Sequence, residues 1–149
     1  LHTNDAPSTI TRMKDMGIPT FLITACVEAI LAQRLVRRIC ANCREETTVS
    51  IEILIDLKVD PESVKDKKFY RGRGCDKCNN TGYKGRIGLF ELMILNDALR
   101  EMIMTNVTTD ELRDKAAEFG MIPLRLYGLG HVFNGLTTVE EVLRETIAE

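Results

Sequence analysis

No apolar run in the 149 residues approaches the ~20 that a bilayer-spanning helix needs, and no signal-peptide pattern opens the sequence. Nor is there an excess of charge of one sign. Twenty basic against 22 acidic side chains leave a formal −2, which argues against a generic nucleic-acid binder. Nothing repeats and nothing is low in complexity. Hydrophobic residues at 44% and charged residues at 28% exclude a disordered or collagenous chain. An initiating methionine is also lacking, so the chain is expected to be a piece of something longer. Its length by itself suggests one domain, burying roughly two-thirds of its unfolded surface.

The near-balance of charge hides blocks. Residues 32–44 carry Arg34, Arg37, Arg38 and Arg44 with no acid, whereas 45–64 carry six acids and one base. Residues 65–86 return to eight bases against two acids, and 87–149 hold eleven acids against five bases. The two basic blocks contain four of the five cysteines.

Helix signals are clear at several points. Asp5-Ala6-Pro7 combines a capping side chain with a proline in the first turn, Ile10 and Met13 share a face, and Gly17 offers a stop. Pro19 opens an apolar segment through Phe21, Leu22, Ile23, Val27, Ile30 and Leu31, expected to be a buried helix of about three turns. Its continuation over 32–39 fits helix or buried strand equally by periodicity. A short amphipathic helix is expected over 51–57, a strand over 68–71 and another from Gly85. Helices follow over 98–104, from Thr108 to a stop at Gly120, over 124–133, and after a Thr137 or Thr138 cap with Glu140 and Glu141 in the first turn.

The chemistry concentrates in Cys40-Ala41-Asn42-Cys43 and Cys75-Asp76-Lys77-Cys78. A two-residue gap lets one tight turn aim two thiolates at one point, and two such knuckles complete a tetrahedral four-cysteine shell for zinc. With no open position, that site is structural, not catalytic. A redox-active C-x-x-C normally stands alone near a βαβ unit, so a doubled set is better explained by a metal. Four thiolates around one Zn2+ carry a net negative charge that Arg37, Arg38, Arg44, Arg73 and Lys77 can offset. The basic blocks thus read as charge around an anionic metal site, with a nucleic-acid footprint as the competing reading. Cys26, in an apolar segment, is expected to be a buried, inert small hydrophobe. Met93, Met102, Met104 and Met121 look like core filler, and His131 like a packed or surface residue.

Three separate stretches carry a family resemblance: LHTNDAPSTITRMKDMG (1–17), LAQRLVRRIC (31–40) and GCDKCNNTGYKGRIGLFELM (74–93), with GLTTVEEVLRET (135–146) near the end. Together they resemble the C-terminal part of the ATPases of type II secretion and type IV pilus assembly. The resemblance implies an α/β fold: the C-terminal fragment of a RecA-like P-loop NTPase domain with a tetracysteine zinc-binding insert and a helical C-terminal subdomain. On that basis residues 1–39 are the tail of the ATPase core, 40–86 the tetracysteine insert, and 87–149 a strand plus the helical subdomain. It also implies a hexameric motor in the bacterial cytoplasm, peripheral to the inner membrane. Its partners would be neighbouring subunits, an inner-membrane platform protein and associated cytoplasmic assembly proteins, with no nucleic acid.

By the same resemblance His2 matches the histidine of the family's His box at the nucleotide site, and Cys40, Cys43, Cys75 and Cys78 are the zinc ligands. ATP and Mg2+ belong to the intact protein. The sequence has no G-x-x-x-x-G-K-[ST]; Gly82, Gly85 and Gly88 lack the Gly-Lys-Ser/Thr ending, and no Walker B strand is found. The chain is expected to begin after both and to hydrolyse no ATP alone. Gln33, Arg34, Arg37 and Arg38 fit the family pattern, but none is assigned as an arginine finger. Retraction motors typically lack the paired knuckles, which favours an assembly motor here. The alternative is a stand-alone zinc module, chaperone-like or nucleic-acid-binding, since CDKCNNTGYKG (75–85) is similar to the zinc knuckles of co-chaperones.

Overall fold

The computed structural model describes residues 1–146 and is mixed α/β, with seven helices and four strands among them. The chain forms two compact units: Leu1–Gln33 with Phe90–Leu124, and Arg34–Leu89 with Arg125–Glu149. Two long strands, β1 (Ala29–Ile39) and β4 (Tyr83–Ile94), pair as a two-stranded sheet, and each contributes residues to both units.

In the first unit, α1 (Ala6–Asp15) starts where the sequence places it. Asp5 accepts the Ser8 N–H at 2.8 Å, and Arg12 and Lys14 suit the negative end of the helix dipole. Gly17 takes φ +84°, a left-handed turn that glycine adopts without steric cost. Helix α4 (Asp97–Met104) is capped by Asn96 on the Leu99 N–H, and α5 (Thr109–Glu118) by a reciprocal Thr108–Glu111 box. These helices bury Ile10, Leu99, Ile103 and Leu112 against Ile23 and Met93. Burial of each such side chain is worth ~1.5–3 kcal/mol before entropy is charged.

The apolar segment after Pro19 departs from expectation. Helix α2 (Thr20–Cys26) is only seven residues long, and Val27 is already extended at φ −89°, ψ 120°. The β-branched Val27 and Ile30 favour the pleated alternative, and pairing with β4 supplies backbone partners that a longer helix would have made internally. The segment over 32–39 is therefore strand. Helix α2 buries only Ile23, and Cys26 lies exposed at its end, contrary to the buried position expected for it. Phe21, Leu22 and Leu31 all face solvent, so the stretch is not the buried helix expected of it. Met93 and Met121 are buried and Met102 packs against the same cluster, but Met104 is exposed and is no core filler.

In the second unit, β2 (Arg44–Thr47) pairs antiparallel with β3 (Phe69–Gly72), Arg44 opposite Gly72 and Thr47 opposite Phe69. Helix α3 (Ile51–Asp56), capped by Ser50, packs Leu54 and Leu57 with Phe69, Leu129, Val132 and Val142 of the same core. Helices α6 (Leu124–Phe133) and α7 (Val139–Glu145) complete it, α7 starting at a Thr138 cap. Gly128 is required for packing, because a Cβ there would run into Val142 and Leu89. His131 stacks edge-on against Tyr127, 5.2 Å between ring centroids, as a packed histidine. Among the described residues no helix is long and apolar enough to cross a membrane.

Candidate metal centre

Four of the five cysteines meet. The sulfurs of Cys40, Cys43, Cys75 and Cys78 all lie within 4.8 Å of one another. Cys40–Cys75 and Cys43–Cys78 are 3.8 Å apart and Cys75–Cys78 3.7 Å. A disulfide needs about 2.05 Å, and all four thiols are free. A tetrahedron whose corners lie 2.3 Å from its centre, the zinc–sulfur distance, has edges of about 3.8 Å. Three of the six separations match those edges and the others stay within 4.8 Å, so the donor set is compatible with one tetrahedral thiophilic ion.

The backbone explains how the chain reaches this arrangement. Cys40 follows the end of β1 and donates its N–H to the Gly82 carbonyl at 2.9 Å, while Cys43 immediately precedes β2. Cys75 leads into a single 3-10 turn (Asp76–Cys78), after which Asn79 and Asn80 take left-handed φ of 53° and 60°. Asparagine tolerates that region better than most residues, which lets the second knuckle reverse sharply. Gly72 and Gly82 approach so closely that a Cβ on either would collide with the other's backbone. This crossing brings the start of β4 against the end of β3 and closes the cage.

The sulfurs sit in a shell of donors. Gly74 N–H points to Cys43 Sγ, Cys75 and Gly82 N–H to Cys78 Sγ, and Asn42 Nδ2 to Cys75 Sγ, each at 3.3 Å. Burial pushes the Cys78 thiol up, but the two backbone donors and neighbouring thiols outweigh it and pull it down to about 6. Cys75 is lowered chiefly by Asn42, whereas burial holds Cys43 up at about 11. Donors to thiolate sulfur are what a metal-bound knuckle presents around its anionic ligands. Cys26 stands outside the cluster.

The remaining sequence-assigned residues lie elsewhere. His2 is exposed in the stretch before α1, outside any helix or strand. Arg37 is committed to a buried carboxylate: Glu141 accepts its backbone N–H at 2.8 Å and its guanidinium at 2.9 and 2.7 Å. The same guanidinium lies over the Tyr83 ring, 4.1 Å from its centroid, and Thr137 Oγ1 donates to the Arg37 carbonyl. Arg44 donates to the Gly135 carbonyl and faces Tyr70. These two arginines therefore have structural partners of their own beside any part in balancing thiolate charge. Arg38 is exposed.

Sequence reading missed Asn42, Gly72, Gly82 and the Arg37–Glu141 pair. Asn42 and the glycines sit in or beside the knuckles, so the signal was there as a turn-forming residue inside each motif. Nothing in the local sequence joins Arg37 to a glutamate 104 residues away.

A family model described as "Type II/IV secretion system protein" matches residues 1–144. The chain is 42% identical over 147 residues to the type IV pilus assembly ATPase PilB of Myxococcus xanthus, covering 98% of this chain and 26% of that protein. It is 41% identical to PilB of Thermus thermophilus, over 99% of this chain and 16% of that protein. It is 40% identical to the type II secretion system ATPase E of Vibrio cholerae, over 98% of this chain and 28% of that protein. The chain thus spans less than a third of the length of each of these relatives.

Proposed function

The chain belongs to the type II/IV secretion system protein family, and from that premise we propose that it is the C-terminal, zinc-holding portion of a hexameric ATPase that powers assembly of type IV pili or type II secretion pseudopili. Similarity of about 40% to relatives named for both machines supports the general role without separating them. The single observation that carries the structural half is the close spacing of the Cys40, Cys43, Cys75 and Cys78 sulfurs.

In this reading residues 1–39 form the tail of a RecA-like core with His2 at its nucleotide site, 40–86 are the metal insert, and 87–149 are a strand with a helical subdomain. Zinc, when bound, supplies a rigid cross-link. It holds together an insertion whose ordering otherwise costs loop-closure entropy. The chain's own part is to supply the four thiolates and to orient them through the Asn42, Gly74, Cys75 and Gly82 donors. ATP and Mg2+ are bound by the intact protein, and these 149 residues, lacking the phosphate-loop motif, do not hydrolyse ATP alone. The intact motor works in the cytoplasm against the inner membrane. There it transmits ATP-driven motion to a platform protein and its cytoplasmic assembly partners.

Metal analysis of reduced protein tests the site: one zinc per chain is expected, falling to none in Cys43→Ser. ATP turnover by the intact protein tests the rest, with the isolated 149 residues inactive. A zinc-free, folded, reduced protein overturns the metal assignment. A salt-sensitive DNA shift or suppression of aggregation by the chain alone would instead favour a stand-alone zinc module.

A further inference from the structure

The segment that carries His2 is fastened far more heavily than a helix start requires. An ordinary N-cap needs one side-chain acceptor, and Asp5 Oδ1 supplies it to Ser8. Asp5 Oδ2 is also gripped by two nitrogens of Arg113 from α5, Nε at 2.8 Å and Nη2 at 2.6 Å. Arg113 is itself braced by Asp110. One residue on, the Ala6 N–H donates to Glu91 Oε1 at 2.7 Å, and Glu91 Oε2 takes the Leu124 N–H at 2.9 Å. Thr3, directly after His2, shares a hydroxyl hydrogen bond with Thr9 at 2.7 Å. Thr3, Asp5 and Ala6, all within four residues of His2, are therefore tied to α1, α5 or β4.

Glu91 makes the case sharper. It is 2% exposed, and its two recorded hydrogen bonds come from backbone N–H groups at two helix starts. Burying a carboxylate is costly, and an apolar side chain in the same core would serve stability as well. What the carboxylate adds is direction: a fixed acceptor for one particular N–H at the first turn of α1, where the helix dipole also favours negative charge.

We propose that Asp5, Glu91 and Arg113 form a frame that fixes how the His2 segment leaves α1, so that they act as positioning residues for His2. The frame rests on the reading of His2 as a nucleotide-site residue. Holding a reactive group in one geometry lowers the entropic part of a barrier without changing how tightly substrate binds. Loss of the frame is therefore read in kcat and not in KM.

The experiment uses the intact ATPase with Arg113→Ala, Glu91→Ala and His2→Ala, and Lys115→Ala as a control on the same helix as Arg113. Arg113→Ala is expected to lower kcat about tenfold with KM for ATP within twofold, and Glu91→Ala to do the same if it folds. Adding Arg113→Ala to His2→Ala should lower the rate no further, a non-additivity that a merely structural role does not produce. Independently of turnover, amide exchange over residues 3–9 should quicken about tenfold in Arg113→Ala and stay unchanged in Lys115→Ala. The frame is overturned if Arg113→Ala loosens residues 3–9 yet leaves kcat at the wild-type value while His2→Ala loses it, or if the two losses simply add. If His2→Ala keeps the wild-type rate, the reading of His2 itself falls.

Discussion

Glu91 and Glu141 are the same side chain, both nearly sealed from solvent at 2% and 1%, one in each compact unit, yet burial wins at one and loses at the other. Burial raises the Glu91 carboxyl above the usual carboxylate range, because backbone N–H groups of Ala6 and Leu124 only partly offset it. At Glu141 burial pushes the same way, but Arg37 hydrogen bonds and the charges of Arg37 and Arg144 outweigh it, leaving the carboxyl lowered. A partial charge on an amide does not replace a guanidinium. The first unit pairs an aliphatic core with the Asp5–Arg113 ion pair and the amide-held Glu91; the second pairs an apolar core with four clustered thiols and the Arg37–Glu141 ion pair.

The largest expected effect separates the units by metal. Chelation, or Cys78→Ser, should raise amide exchange over 40–47 and 69–83 at least a hundredfold, the loss expected when a metal cross-link goes. Exchange over 99–116, in the aliphatic core, should change no more than a few-fold. Uniform collapse of both regions would show that the second unit's thiols hold the whole chain together, and the contrast between the units would be wrong.

Next come the two glutamates, which should respond to acid with opposite sign. Glu141→Gln leaves Arg37 and Arg144 without their counter-charge and should cost about 2 kcal/mol at neutral pH, moderated by the half-exposure of both arginines. Because the folded carboxyl is lowered, its contribution is full above the usual carboxylate range and vanishes as pH falls through the native value. The gap between wild type and Glu141→Gln should therefore close in acid. Glu91→Gln turns one acceptor into a donor facing a buried N–H and should cost about 1 kcal/mol at neutral pH. Its folded carboxyl is raised, so the wild type gains stability as pH falls and loses it as pH rises through the native value. The gap to Glu91→Gln should widen in acid. Denaturant titrations from pH 7 down to about 4 measure both, and gaps moving in the same direction would sink the comparison.

How much of this was legible in sequence depends on the range of the interaction. Asp5, Asn96 and Thr108 cap helices through bonds three residues long, and each was readable because the physics is local. The pairing of the four clustered cysteines into two C-x-x-C knuckles was readable for the same reason, since each knuckle is a two-residue turn. The segment over 27–39 was not: its first residues were expected to be helix and 32–39 fitted helix or strand, until β4 arrives from some fifty residues away. The burial of Glu91 was not foreseen at all, and Glu141 was placed only as a first-turn acid of a helix. Their real partners, Ala6 and Arg37, are 85 and 104 residues distant and leave no mark on the local pattern.

The smallest effect is the most direct check on which thiol belongs to which region. Cys26 lies exposed at the end of α2, outside the cluster and with no metal partner, whereas Cys40, Cys43 and Cys78 are buried among one another. Replacing an exposed side chain that makes no specific contact is usually worth within about 0.5 kcal/mol. Cys26→Ser should therefore melt like the wild type and bind the same one zinc. Alkylation then orders the five thiols. In the zinc-loaded protein one thiol should react quickly and four slowly, Cys26→Ser should abolish the fast phase, and a chelator should merge the slow phase into it, since the thiolate is the nucleophile and a bound metal occupies it. A fast phase that survives in Cys26→Ser would mean that one cluster cysteine is free of metal, and the cage would then hold its ion with three sulfurs instead of four.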